Sequence, residues 1–209
     1  MRLYLASGNA HKVAEFQELA RSSGLPIEIV SARAAGGMPA VNEDSGTFVG
    51  NATKKALALL SALPAQSWVL ADDSGLCVDA LHGDPGVESA YYAGPEGDPA
   101  ANLRKLVEEL RDVPQERRGA AFHCVLVLVG TSHPAQAFAG ICPGTLREIP
   151  AGGAGFGYDP LFVPEGETRT FAEMPESEKN QLSHRARAWA KLAAYLRTLA
   201  SGVDRRPGS

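Results

Sequence analysis

The chain has 209 residues, 44% of them hydrophobic and 21% charged, with 20 Lys and Arg against 24 Asp and Glu for a net charge of −4. That length and apolar share suit one α/β domain and exclude a mostly disordered chain. The acidic balance argues against an electrostatic grip on a nucleic acid polymer, yet a local cluster of Lys and Arg can still hold a small anion. Cys77, Cys124 and Cys142 form neither a CxxC nor a disulfide framework, which points to a reducing compartment. The opening MRLYLASGNAHK is too short in apolar residues for a signal peptide. The longest apolar run, Ala120 to Val129, contains His123 and falls far short of a membrane span. A cytoplasmic protein with no membrane partner is the expectation.

In chain order, Leu3 to Ala6 is a short apolar strand ended by Ser7-Gly8-Asn9. Val13, Phe16, Leu19 and Ala20 then recur near the helical period, Gly24 and Pro26 stop the helix, and Ile27 to Val30 begins a second strand. The polar, glycine-rich stretch 31–46 is a loop, and Thr47 to Leu63 is a helix closed by Pro64. Trp68 to Ala71 is a buried strand running into Asp72-Asp73-Ser74-Gly75, with Leu76 to Val78 a further extended piece. A Gly/Pro-rich loop over 82–99 precedes an amphipathic helix from Asn102 to Arg111. Phe122 to Val129 and Ala135 to Ala139 form a hairpin around Gly130-Thr131-Ser132, and Thr145 to Ile149 extends the sheet. A glycine loop fills 150–160, and Ser183 caps a closing helix from His184 to about Leu199. A single domain over 1–200 with a flexible tail over 201–209 follows, built as a mixed sheet covered by helices.

Four clusters carry chemistry. Ser7-Gly8-Asn9-Ala10-His11-Lys12 turns from a strand into a helix, whose free amides and nearby Lys suit a phosphate. A plain turn with Lys12 facing solvent is the alternative, since the P-loop spacing is absent. Asp72 and Asp73 at the end of a buried strand need compensation, which Mg²⁺ ligation or general-base work would provide; a cap or turn is the alternative. Glu43-Asp44 is a second acidic loop, either solvated or the other side of a metal site. Gly155-Phe156-Gly157-Tyr158-Asp159 lets a ring lie over a flat base, or is a tight turn with a core Phe. Lys179, His184 and Arg185 gather donors near a helix start, or decorate a capped surface helix.

SGNAHK, EDSGTF with Asn51-Ala52, ADDSGL, FHCVLV, GFGYDP and EKNQLSHR occur in this order. Each is short, but the ordered set is specific, and from about residue 3 to 199 the chain resembles the inosine triphosphate pyrophosphatase family. The resemblance implies an elongated two-lobed α/β fold with the cleft between the lobes, and a homodimer. It implies Mg²⁺-dependent hydrolysis of ITP, dITP and XTP to the monophosphate and pyrophosphate. Carried over by motif, Ser7 to Lys12 and Lys55 would hold the triphosphate. Asp73 would be proton acceptor and metal ligand, Glu43 a second metal ligand, and Ser74 a substrate contact. Phe156, Gly157, Tyr158, Asp159, Lys179, His184 and Arg185 would bind the nucleoside. The acidic loop is one residue shorter than the family pattern, which leaves Glu43 against Asp44 open, and Tyr91 stands where the family often has Arg. A pyrophosphatase for modified pyrimidine nucleotides, as in septum-associated relatives, and a non-catalytic nucleotide-binding regulator are the alternatives.

Overall fold

The computed structural model describes the backbone of residues 1–203 and the side chains of residues 1–199. The chain opens with strand β1 (Arg2–Leu5), helix α1 (Ala10–Ser22) and strand β2 (Glu28–Ser31), with β2 parallel to β1. Helix α1 starts where it does because Asn9 stays extended and its side chain accepts from the His11 and Lys12 amides at 2.9 and 3.3 Å. Helix α2 (Phe48–Ser61) is capped in the same way by Thr47, which accepts from Gly50 N.

Strand β3 (Trp68–Val78) differs from the sequence reading. The DDSG stretch is not a break between two extended pieces but the middle of one strand of 11 residues. The antiparallel pairing with β4 (Gly119–Gly130) runs unbroken across it, from Trp68 opposite Gly130 to Val78 opposite Ala120. Asp and Gly are disfavoured in strands, but that propensity is weak, and here the ladder and the cations around the two carboxylates override it.

Helix α3 (Pro99–Glu109) begins with Asp98 as cap and Pro99 in its first turn. Strands β4 and β5 (His133–Leu146) form the expected hairpin, with two residues in the turn. Strand β6 (Phe162–Pro164) and helix α4 (Glu176–Leu182) are additions to the sequence reading. Both are too short for a periodic signal. Helix α5 (His184–Val203) is capped by Ser183, whose hydroxyl accepts from Ala186 N at 3.2 Å. It takes up 201–203 of the expected tail; residues 204–209 lie outside the described residues.

The sheet is mixed and six-stranded, in the order β2-β1-β3-β4-β5-β6. Its long strands run through two packed regions. In the first, Leu3, Leu5, Leu70 and Leu126 meet Phe16 of α1 and Trp189 and Leu192 of α5. On the opposite face Val69, Ala71 and Val127 meet Ala52, Ala56 and Leu59 of α2. In the second region Leu76, Val78 and Phe122 meet Leu106 and Leu110 of α3 and the aromatics Tyr158, Phe162 and Phe171. Strand β1 stops pairing at Leu5, opposite Leu70, while β4 accompanies β3 to Val78. Residues Asp72 to Gly75 therefore lie where the two regions meet, on a stretch of β3 that has lost its β1 neighbour.

Candidate active site

Alternation along β3 sends Asp72 and Asp73 to opposite faces of the sheet, and each meets a different set of cations. On the α1 and α5 side, Lys12 Nζ lies 2.6 Å from Asp72 Oδ2 and Arg185 Nε 3.6 Å from it. The Cys124 thiol donates to Asp72 Oδ1 at 3.2 Å. Burial opposes ionisation of Asp72, but Lys12 and Arg185 outweigh it and hold the carboxyl far below the usual carboxylate range. It is a fixed anion. Lys12 accordingly does not face solvent, and two of the α1 amides proposed for phosphate are already taken by Asn9.

On the α2 side, Lys55 Nζ lies 2.6 Å from Asp73 Oδ1 and 2.8 Å from Glu43 Oε2. Lys55 is mostly buried, and its two carboxylate partners keep it protonated, above its ordinary value, against the cost of burial. Asp73 is different: burial dominates and pushes its carboxyl up to about 6, against the pull of Lys55 and Lys12. Its second oxygen, Oδ2, is buried and has no hydrogen-bond partner. Asp44 pairs instead with Lys54, outside this cluster, so of the two acidic-loop residues it is Glu43 that shares a partner with Asp73.

Among the described residues no three His, Cys, Asp or Glu side chains form a protein-only metal cage. Two carboxylates within reach of one point, one of them with a free oxygen, nonetheless suit Mg²⁺, which is usually bound by one or two carboxylates plus substrate phosphates and water.

The nucleoside segments gather next to Ser74. Arg185 donates from one terminal nitrogen to Glu15 Oε2 at 2.8 Å and from the other to Ser74 Oγ at 2.9 Å. Lys179 Nζ lies 2.6 Å from Asp159 Oδ2 and 3.2 Å from Glu15 Oε1. Glu15 is thus a buried bridge between the two cations. Burial pushes its carboxyl up, but Arg185 and Lys179 offset that and leave it below the ordinary range. Asp159 also accepts from Phe156 N at 2.9 Å, and burial leaves its carboxyl raised in spite of Lys179. A Cβ at Gly155 would run into the Asp159 carboxylate, which explains the glycine there.

The Phe156 ring stacks on His11 at 5.4 Å and lies 5.2 Å from Lys179 Nζ and 5.3 Å from the Arg185 guanidinium. His184 is buried against Phe122 at 4.8 Å, with Nδ1 unpartnered; burial and neighbouring Arg185 hold it well below its usual value, so it is neutral. A cavity of about 170 Å³ lies on one side of Phe156, lined by Lys12, Ser74, Ser89, Asn102, His184 and Arg185 among others. A second, of about 270 Å³, is also bordered by Phe156 and lies against His11, Glu15 and Lys179. Gly8 and Gly157 have open space beside them, so a ligand can approach the backbone there.

The sequence-predicted residues fall into two groups: Lys12, Ser74, the 156–159 segment, His184 and Arg185 line the first cavity, whereas Glu43, Lys55 and Asp73 gather on the α2 side of β3. Tyr158 is the one whose polar atom is turned elsewhere: its hydroxyl donates to the Ser89 carbonyl. Glu15, Ser89, Asn102 and Cys124 were missed. The usable signal for two of them was a polar residue on a helix's apolar stripe, Glu15 beside Phe16 and Leu19, and Asn102 four residues before Leu106.

The Ham1 family model matches residues 3–195. A dITP/XTP pyrophosphatase of Opitutus terrae is 61% identical over 93% of this chain and 98% of its own length. One of Streptomyces coelicolor is 46% identical over 95% and 98%. The Ham1 protein of Staphylococcus aureus superposes with a TM-score of 0.82 at 33% identity, covering 95% of this chain and 99% of that one. The nucleoside-triphosphatase, or dITP/XTP pyrophosphatase, of Mycobacterium abscessus gives 0.72 at 43% identity, covering 92% and 97%.

Proposed function

The chain belongs to the Ham1 family, and on that premise we propose that it is a nucleoside triphosphate pyrophosphatase acting on dITP, XTP and ITP with Mg²⁺. The products are the nucleoside monophosphate and pyrophosphate. The observation that carries the reading is Asp73: a buried carboxylate, raised to about 6, with one oxygen on Lys55 and the other free, next in sequence to Ser74, which lines the 170 Å³ cavity.

Hydrolysis at the α-phosphorus forms a bond from a water oxygen to that phosphorus and breaks its bond to the bridging oxygen of the pyrophosphate. On this reading the free Oδ2 of Asp73 takes the water's proton. Lys55 holds the other oxygen, fixing the carboxylate's orientation. Glu43 and Asp73 would hold Mg²⁺ with phosphate oxygens of the substrate, and the ion would neutralise charge on the leaving pyrophosphate. Lys12, now on Asp72, and Lys55 lie on either side of β3 as cations for the phosphates.

Base choice rests on donors. Phe156 offers a face for stacking, and Arg185 and Lys179 can only donate. Hypoxanthine and xanthine present an acceptor oxygen at C6, whereas adenine presents an amino group that leaves such a donor unmatched, at a cost of about 1–3 kcal/mol. The homodimer and the cytoplasmic setting belong to the same reading; among the described residues no helix is long and apolar enough to cross a membrane.

The test is pyrophosphate release from dITP, XTP and ITP against dATP and dGTP, with Mg²⁺ and with chelator. Turnover of the first three with Mg²⁺ is expected, and Asp73→Asn should lower kcat by about 10²–10⁴-fold while binding persists. Equal turnover of all five nucleotides, or near-normal kcat in the variant, overturns the reading.

A further inference from the structure

The 170 Å³ cavity has two walls from distant parts of the chain. One comes from 86–102, with Ser89, Ala90 and Asn102; the other is the glycine loop with Phe156, Gly157 and Tyr158. The first wall is tied down on its own side. The Ser89 hydroxyl accepts from Leu76 N of β3 at 2.9 Å and donates to Gly86 O at 2.6 Å. The buried Asn102 amide donates to Ser89 O at 3.3 Å and Ala90 O at 2.9 Å and accepts from Ala93 N at 2.7 Å. Between the walls, the Tyr158 hydroxyl donates to the Ser89 carbonyl at 2.8 Å. Among the described residues no other hydrogen bond spans the two.

We propose that Tyr158 is a positioning residue for the nucleoside: its hydroxyl latches the glycine loop to the Ser89 carbonyl and so sets the width of the cavity and the placement of Phe156. The phenol is buried in the second packed region, so its bond to Ser89 is shielded from competing water. The ring of Phe156 sits two residues away, in a loop whose flanking Gly155 and Gly157 have positive φ values of 74° and 63°. The Asp159 to Lys179 pair anchors the far side of the loop, and Tyr158 anchors the near side. The Ser89 carbonyl keeps Asn102 as a donor when the phenol is removed, so losing the latch does not orphan it.

The inference rests on the pyrophosphatase reading, and Tyr158→Phe separates the two. The variant keeps the ring and its packing and removes one donor. KM for ITP and dITP should rise by about 3–10-fold, kcat should stay within about 3-fold, and the melting temperature should fall by no more than about 2–6 °C. Tyr158→Leu loses ring and hydroxyl together and should also melt lower. A readout independent of substrate is amide hydrogen exchange in the free protein, which should quicken at 89–93 and 156–159 in Tyr158→Phe. Unchanged KM and unchanged exchange in Tyr158→Phe, with only Tyr158→Leu impaired, would overturn the latch and leave a packing role. If the wild type fails to turn over ITP, dITP and XTP, the functional reading falls, and the exchange result still decides the latch.

Discussion

Asp72 and Asp73 are neighbours with opposite electrostatics, and the difference is one of counting. Asp72 faces two full cations and a thiol donor, and stays ionised. Asp73 shares its single buried Lys with Glu43, so burial prevails. Its folded value near 6 lies above the unfolded value near 4. The stability it contributes is therefore present below about pH 4 and lost as pH rises through 6. Measured in chelator at pH 7, Asp73→Asn should melt a few degrees above wild type although it is inactive, at about 2–4 °C per kcal/mol for a chain of this size. Lys55→Met takes away the opposing charge, so the Asp73 titration in chelator should move above 6, read by carboxylate NMR shifts. No upward movement would mean that Lys55 does not govern Asp73. Arg185 already spends two donors on Glu15 and Ser74, which aims the rest of the guanidinium. Arg185→Ala should narrow the ITP/ATP ratio of kcat/KM by about 10-fold or more, since truncation also leaves buried Glu15 short of a partner. An unchanged ratio would assign discrimination to Lys179 or His184.

At the level of elements, β3 is the backbone of the site because it passes from one packed region to the other without a break. Gly75 permits this: a Cβ there would collide with the Gly86 carbonyl and Ser89 Oγ, which the short 86–88 helical turn brings against the strand. Gly75→Ala should therefore push away the wall that Ser89 carries. We expect a loss of about 1–3 kcal/mol and a KM rise larger than that of Tyr158→Phe, checked by thermal melts and steady-state kinetics. Wild-type stability would show that the turn shifts freely. The strand-to-helix, helix-to-strand opening was legible from its apolar periods and its glycine and proline breaks, and Ser183 was legible as a cap, whereas Asn9, Thr47 and Asp98 emerge as caps only in the structure. The continuity of β3 was not legible, because Asp-Asp-Ser-Gly has the composition of a turn and only the β4 ladder makes it a strand.

Across the whole molecule, the net charge of −4 hides a strongly paired interior. Lys12 and Arg185 line one cavity and Lys179 the other, Lys55 lies on the α2 side of β3, and each is paired with a buried carboxylate. On the proposed reading a bound triphosphate would touch both packed regions and bind only the folded state. With the turnover-deficient Asp73→Asn variant, ITP at about 100 times its Kd should add about 2.7 kcal/mol, roughly 5–11 °C in melting temperature. ATP at the same concentration should give a smaller shift, and equal shifts would place the base outside the cleft.

The sequence by itself determined the parts: the Ser183 cap, the glycines, the apolar faces, and the ordered motifs that single out Ser7 to Lys12, Asp73, Phe156 and Arg185. Those signals are local, written in spacing and residue type. The tertiary structure decided how the parts are wired. It set Asp72 and Asp73 on opposite faces and gave Glu43 rather than Asp44 the partner shared with Asp73. It also made Glu15 the bridge between Lys179 and Arg185, and turned the Tyr158 hydroxyl onto Ser89. Each of these depends on burial and on a partner far along the chain, 170 residues away for Glu15 and Arg185. The energy of a carboxylate depends on what surrounds it, and no local pattern records that.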